Sequence, residues 1–429
     1  MKSQTDTQTD TQMDAQIDAQ MDAGADTGLK RVLSLPLLVL YGLGTTIGAG
    51  IFVLTGKVAG VAGGFAPLAF LSAAILAGLA ALCFAELAVR HPESGGAAVY
   101  VKEGLGSDRL ALLTGGLVIL AGLVSTATII TGFAGYAGDL VPAPALALKL
   151  GAAVLLGLIA FWGVQESVTV AATVTIAEVG VLIAICLFGL PGLTLDGIGK
   201  AMQPATADAV IWAGVASGAL LAFYAFIGFE DIVNVAEETR DPHRTLPRAI
   251  IVTLVVTSIL YVAVSLIAVT AAPLNELAGS TAPLTFLFER VSGLPGGTIS
   301  IIAIFSVLNG ALIQIIMASR VFFGLGRRGW LPAWLATVHR TTRTPSNAII
   351  LCVLIVALLV TAFPLEALAK TTSFITLAIF ALVAVALFRL KRKTQAVPAG
   401  GFSVPIWLPV ATVAAIAALV IAELYNRLG

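Results

Sequence analysis

The sequence predicts an all-α protein that crosses a membrane about eleven times. Two observations support this prediction. Hydrophobic residues make up 58% of the 429-residue chain and charged residues only 11%, whereas a soluble domain has roughly 45–50% apolar and about 25% charged residues. The apolar residues also fall into runs of about 20, the length that crosses a bilayer as one helix. Because so few charges could not cover a water-exposed surface, the composition excludes a soluble enzyme.

The first 28 residues differ from the rest of the chain. Six aspartates recur at every fourth position there, and large apolar side chains are almost absent. Such a segment cannot bury enough apolar surface to offset the entropy lost on ordering. We predict that residues 1–28 form a disordered acidic cytoplasmic tail and that residues 29–429 form the transmembrane domain. A helix with one acidic stripe and an acidic binding arm are the alternatives.

The candidate spans also predict the orientation of the chain. Lys and Arg concentrate on the cytoplasmic side of membrane proteins. With the N-terminus inside, eighteen of the 24 Lys and Arg residues fall on that side. We therefore predict a cytoplasmic N-terminus and, because the number of spans is odd, an external C-terminus. The eleven segments are 35–57, 66–89, 110–139, 145–163, 168–190, 209–235, 247–272, 297–324, 347–364, 371–389 and 404–425.

The first and sixth spans contain breaks near their centres. Four glycines occur within residues 42–50, and Gly228 follows Tyr224 in the sixth span. Interrupted helices at membrane depth are buried in protein or line a watery cavity. Close helix packing at the glycines is the alternative explanation. Two such breaks, five spans apart, indicate corresponding halves of an inverted repeat, which is typical of transporters.

Four motifs, in order and spacing, resemble the amino acid-polyamine-organocation (APC) superfamily of secondary transporters. The first motif is residues 44–52, and the second combines residues 85–88 and 92–96 with Tyr100. The third comprises residues 228–230, 236–238, 241–242 and 247–248. The fourth comprises residues 319–320, Gly329 and Pro332. The resemblance implies a LeuT-type 5+5 inverted repeat with broken helices one and six. The repeats would occupy about 35–190 and 209–389, with a peripheral helix at 404–425. Members commonly have twelve spans, whereas this sequence predicts eleven.

The resemblance also implies a permease that carries amino acids across the cell membrane. The substrate would lie between the two broken helices. Unpaired amides after Gly48 suit an α-carboxylate, because a helix N-terminus attracts anions. Carbonyls freed at Ala225 and Phe226 suit an ammonium group, and Phe226 either covers the substrate as a gate or only packs. The expected binding residues are Ile47, Gly48, Ala49, Gly50, Ser125, Ala225, Phe226, Ile227 and Gly228.

Other polar residues bear on the substrate. Ser125 in the third span and Asn309 and Gln314 in the eighth either line the pocket or bond neighbouring helices. Near the breaks, Glu230 is the one obvious carboxylate, and no Lys or Arg lies at the midplane. A polyamine or a strongly charged amino acid would therefore find little countercharge. This pattern favours neutral amino acids.

Glu178 is the most central ionisable residue of the predicted spans. It lies about ten residues into the fifth span, or ~15 Å deep at ~1.5 Å per residue. Burial favours the protonated acid and hydration favours proton release, so we predict that Glu178 couples transport to protons. In members that use protons, a lysine can sit at this point, beside the place where others bind sodium. A sodium ligand and a neutral structural acid are therefore the alternatives.

The predicted function is secondary active transport of amino acids by proton-coupled symport. Sodium-coupled transport or exchange of amino acids or polyamines is the alternative, as is a transport-dead sensor. The sequence lacks an HExxH pair, an aspartate dyad and a serine nucleophile motif, which argues against an intramembrane enzyme. A channel would carry filter repeats instead of broken helices. The expected partners are an amino acid, a proton or sodium, and lipid, with no cofactor, resident metal or nucleic acid.

Overall fold

The computed structural model describes residues 33–93, 96–163, 168–202, 208–327, 329, 331–393 and 401–428. Within these ranges the chain is mainly helical and forms no strand. One isolated bridge pairs Leu33 with Thr239. The predicted tail at residues 1–28 lies outside the described residues, as do Ser94 and Gly95 of one family motif.

Sixteen α-helices make up most of the described part of the chain. Four short 3-10 segments join or extend them, at Gly63–Phe65, Leu190–Gly192, Phe229–Glu238 and Ala333–Ala336. The α-helices are α1 Leu35–Thr46, α2 Ala49–Ala62, α3 Ala66–Arg90, α4 Gly96–Leu105, α5 Asp108–Leu140, α6 Ala145–Trp162, α7 Val168–Gly189, α8 Leu195–Ala201, α9 Asp208–Tyr224, α10 Pro242–Ala271, α11 Leu274–Gly279, α12 Pro283–Ser292, α13 Gly297–Arg327, α14 Ser346–Ala362, α15 Leu365–Arg392 and α16 Trp407–Leu428.

The described helices are those of a multi-pass membrane protein. Nine helical segments are long and apolar enough to cross a membrane, and one of them, Ala49–Arg90, joins α2 to α3. Two further apolar helices, α1 and α14, have 12 and 17 residues. All eleven segments named from the sequence coincide with helices. The sequence predicts eleven spans instead of nine because α2 and α3 belong to separate predicted spans and α14 is predicted to be a span.

Helix packing places the interrupted helices in the middle of the protein. α13 packs along α5 and α10 packs along α3, while α9 lies against α2 and α3. α1 contacts α7 and α10. Since the buried face of α2 includes nearly every residue from Ala49 to Ala59, this helix is enclosed by protein instead of facing lipid. The positions around both breaks are therefore shielded from the membrane.

An aromatic cluster ties several of these helices together at one end. The Phe84 ring lies 6.0 Å from the rings of Tyr100 and Phe229 and 5.1 Å from that of Phe380, centroid to centroid. The contacts are edge-on, an arrangement that contributes about 0.5–1.5 kcal/mol per pair beyond burial. The cluster joins α3, α4, α15 and the 3-10 segment at Phe229–Glu238.

A buried carboxylate fixes the same end of the protein. Glu86 is fully buried on α3 and accepts hydrogen bonds from Lys391 Nζ of α15 at 2.7 Å and from the amide of Val404 at 2.8 Å. Arg90, one turn along α3, also pairs with it. These bonds attach the segment that precedes α16 to α3 and α15. We call this part of the protein the Glu86 end. At the opposite part, Lys57 of α2 donates a hydrogen bond to the Ala278 carbonyl at 3.1 Å, and we call it the Lys57 end.

A second buried carboxylate holds α16 near its other terminus. Glu423 is 1% exposed, pairs with Lys370 Nζ of α15 at 2.7 Å and accepts a hydrogen bond from Ser217 of α9. Asn426 donates to the Ala213 carbonyl at 3.0 Å. The predicted peripheral helix is therefore bonded to α9, the first half of the interrupted sixth span.

Candidate functional site

The first break separates α1 from α2. Ile47 has φ −82° and ψ 81°, and Gly48 has φ −136° and ψ −136°, so neither residue continues the helix. The first amide groups of α2 have no carbonyl one turn earlier within the helix, and the positive end of the helix dipole lies with them. This break therefore presents hydrogen-bond donors at the start of α2.

The second break follows α9. Residues 225–228 form turns before the 3-10 segment Phe229–Glu238 begins. Gly228 has φ 126°, which L side chains rarely adopt, and a Cβ there would collide with the Thr45 carbonyl. Its amide donates to Glu230 Oε2 at 2.8 Å. The last three carbonyls of α9 accept from the amides of residues 225–227 at 3.0–3.2 Å, and the negative end of the helix dipole lies with them.

The two breaks are in direct contact. Thr45 Oγ1 lies 3.0 Å from the Gly228 carbonyl oxygen and donates to it. A Cβ on Gly50 would collide with the backbone of Ala225, so glycine at position 50 permits the close approach. The start of α2 and the end of α9 consequently lie side by side.

Tyr261 of α10 bonds to both breaks. Its hydroxyl lies 2.9 Å from the Thr46 carbonyl oxygen and 3.1 Å from that of Ala225. The side chain is fully buried. The sequence prediction missed this residue, although a tyrosine in the middle of an apolar span is a usable signal, because a buried phenol normally needs a polar partner.

A small cavity of about 50 Å³ lies between the breaks. This volume is comparable to the share of liquid volume of about two water molecules, enough for a small charged group. Ser125 Oγ and Tyr224 Oη, 3.0 Å apart, form a polar pair on its wall. The full lining is Gly44, Thr45, Thr46, Gly48, Ala49, Gly50, Ser125, Ile129, Tyr224, Ile227, Gly310 and Gln314.

Five of the nine predicted binding residues line this cavity, and the other four, Ile47, Ala225, Phe226 and Gly228, are outside its lining. Ile47 is fully buried, and Ala225 is 1% exposed. Phe226, the proposed gate, is fully buried and packs edge-on against Tyr261 with ring centroids 5.1 Å apart. The residues in the lining are Gly48, Ala49, Gly50, Ser125 and Ile227.

A larger cavity of about 320 Å³ continues from the small one toward the Glu86 end. Ser125, Ile227 and Gln314 line both cavities. Glu230 and Asp231 contribute the charged groups of its lining. The sequence prediction counted Glu230 near the site but not Asp231, because a side chain's distance from a cavity cannot be read from its distance along the chain.

A third cavity, of about 490 Å³, lies at the Lys57 end and shares no lining residue with the small cavity. Between them, the fully buried Tyr136 donates a hydrogen bond to the Phe52 carbonyl. A Cβ on Gly56 or Gly135 would collide with the carbonyl of Leu277 or Thr281, respectively. This end is therefore closed by tight packing, and the small cavity adjoins open space toward the Glu86 end.

Glu178 lies close to this assembly but outside the linings of both adjoining cavities. It is 2% exposed on α7 and interacts electrostatically with Tyr261. Thr175, one turn earlier on α7, packs so closely on Gly44 of α1 that a Cβ on that glycine would collide with its hydroxyl. The part of α7 that carries Glu178 is therefore packed against α1 close to the first break.

Comparison with known proteins assigns the family. The family described as "Amino acid permease" matches residues 33–425, which include both breaks and every lining residue of the cavities. The chain belongs to the amino acid permease family of the APC superfamily. The resemblance found in the sequence motifs is thereby confirmed.

Three relatives show the range of this permease family. The branched-chain amino acid permease BcaP of Bacillus subtilis is 30% identical, over 86% of this chain and 83% of its own. The methylthioribose transporter of the same organism is 30% identical, over 88% and 84%. Cationic amino acid transporter 3, mitochondrial, of Arabidopsis thaliana is 30% identical, over 84% and 62%. Their names agree on transport and differ in what is transported.

Proposed function

We propose that this permease is a secondary active transporter that carries amino acids across the cell membrane by alternating access. The observation that supports this best is the small cavity, which lies between the start of α2 and the end of α9 and is lined from both sides. The two charged groups of an amino acid would each find an opposite backbone pole there, without a buried charged side chain.

In this proposal the α-carboxylate binds the first amides of α2, those that follow Gly48 and include Gly50. The α-ammonium group lies toward the carbonyls of Ala225 and Phe226, beside Tyr224. Discontinuous helices that receive both ends of a substrate at membrane depth are typical of LeuT-type transporters. We therefore also propose the 5+5 inverted repeat, with the halves at about 35–190 and 209–389.

The proposed orientation places the Glu86 end in the cytoplasm, with the N-terminus inside and the C-terminus outside. The distribution of Lys and Arg supports it. Under this orientation the larger cavity is the path to the cytoplasm and the packing around Tyr136 closes the external side. The conformation described here would then be inward-facing.

We further propose that Glu178 couples transport to protons. It interacts electrostatically with Tyr261, whose hydroxyl is bonded to both breaks. A change in the charge of the carboxyl group would therefore act on the hydrogen bonds that hold the breaks together. Sodium coupling and exchange are the competing outcomes.

The test is counterflow in proteoliposomes. Vesicles that contain the purified full chain are preloaded with one unlabelled amino acid and diluted into a trace of the same labelled compound, for every proteinogenic amino acid in turn. The proposal predicts transient accumulation of label for a subset, absent from protein-free vesicles. If no labelled amino acid accumulates above the protein-free vesicles, the proposal is overturned.

A further inference from the structure

The charge around the larger cavity is of one sign. Among the described residues that line it, Glu230 and Asp231 are acidic, and none is Lys, Arg or His. Asn234 and Gln314 add carboxamides, and most of the remaining wall is apolar. A ligand group with hydrogen-bond donors and positive charge would be favoured in such a space, whereas an anion would be repelled.

Gln314 provides an observation independent of the two acids. It projects from α13, and its Oε1 atom is buried with no hydrogen-bond partner among the described residues. An unsatisfied buried acceptor costs about 1–3 kcal/mol, so a ligand donor or a water molecule is expected beside it. Because Gln314 lines both cavities, this acceptor lies where the substrate's side chain would leave the small cavity.

The carboxylates of Glu230 and Asp231 accept local hydrogen bonds that use only some of their lone pairs. Glu230 Oε2 accepts from the Gly228 amide at 2.8 Å, and Asp231 Oδ1 accepts from Asn234 Nδ2 at 3.3 Å. An ionised carboxylate offers about four lone-pair positions. These local bonds therefore leave positions on both acids for a ligand.

We propose that the larger cavity selects amino acids with a long basic side chain, of the lysine, ornithine and arginine class. This proposal rests on the proposed function. The methylene stem would lie along apolar wall residues such as Val118 and Ile379, as the stems of lysines do at protein surfaces. The charged end would donate to Gln314, Glu230 and Asp231. This replaces the neutral class favoured by the sequence, which rested on Glu230 being the one acid near the site.

The test compares initial uptake rates of labelled lysine and labelled leucine at equal concentration in proteoliposomes. Wild type is expected to take up lysine at least about tenfold faster, since a charge-assisted hydrogen bond contributes roughly 1.5–3 kcal/mol. Gln314→Leu and Asp231→Asn should each lower this ratio about tenfold by slowing lysine uptake alone. Ile316→Val, on α13 but outside both cavity linings, is the matched control and should keep the wild-type ratio.

The outcomes separate the two proposals. A wild-type rate for leucine equal to or above that for lysine overturns the selection of basic side chains and leaves amino acid transport standing. An unchanged ratio in both variants also overturns it, even where one of them is poorly folded. If none of the amino acids gives counterflow, the proposed function itself is overturned.

Discussion

The hydroxyl of Tyr261 lies 2.9 Å from the carbonyl oxygen of Thr46, the last residue of α1. The same hydroxyl is 3.1 Å from the carbonyl oxygen of Ala225, the first residue after α9. One phenol on α10 therefore lies within hydrogen-bond distance of two helix ends that are distant in sequence, and its one proton is shared between their carbonyls. Backbone groups at a break inside a membrane protein need such partners, because lipid offers none.

Replacing Tyr261 with Phe should weaken both breaks. The change leaves buried carbonyls without their donor, at a cost of about 1–3 kcal/mol. We expect a lower unfolding temperature in detergent and at least about tenfold slower uptake. Tyr100→Phe is the matched control, because the Tyr100 hydroxyl is buried with no hydrogen-bond partner among the described residues. Equal losses in the two variants would show that the hydroxyl at position 261 has no special role.

Replacing Glu178 with Gln should abolish coupling to protons. In proteoliposomes with an imposed inward proton gradient and no sodium, wild type should accumulate substrate above the external concentration. The Gln variant, which cannot ionise, should only equilibrate it, while counterflow persists. A wild type that requires sodium, or a Gln variant that accumulates as well as wild type, would rule out proton coupling through this residue.

The attachment of α16 predicts a stability effect. Glu423→Gln removes the negative charge that pairs with Lys370 at 2.7 Å, and breaking a buried ion pair costs about 3–5 kcal/mol. The variant should unfold at a lower temperature in detergent. The double variant Lys370→Met/Glu423→Leu removes both charges and should recover much of the loss. A double variant less stable than the single one would show that the loss does not come from the uncompensated charge of Lys370.

The orientation can be tested with terminal tags. A protease-cleavable tag placed after Gly429 should be cut from outside intact cells, and one placed before Met1 should be protected. Protection of both tags would mean that the number of spans is even and that the C-terminus is cytoplasmic.

Much of the site could be predicted from the sequence because its signal is local. Glycine at positions 48, 50 and 228 marks interrupted or closely packed backbone, and the structure places breaks or close approaches at all three. Partnerships between distant segments had no such signal. The bonds of Tyr261, and the proximity of Asp231 to the larger cavity, depend on helix rotation, which an apolar run does not specify. Phe226 illustrates the same limit, since its ring is turned onto Tyr261.

The central claim is that an amino acid binds between the two breaks, and Gly48 tests it most directly. A Cβ on Gly48 would meet no atom of the described residues within 4 Å, so Val should be accommodated in the fold while its side chain occupies the small cavity. Gly50→Val, which would collide with Ala225, is the contrasting variant and should destabilise the protein.

The measurement is equilibrium binding of the labelled amino acid that gives the strongest counterflow, to purified wild type and Gly48→Val in detergent. We predict saturable binding to wild type and loss of binding, by at least about a hundredfold in Kd, for the variant at an unchanged unfolding temperature. Wild-type affinity in a folded Gly48→Val protein would contradict a binding site between the breaks.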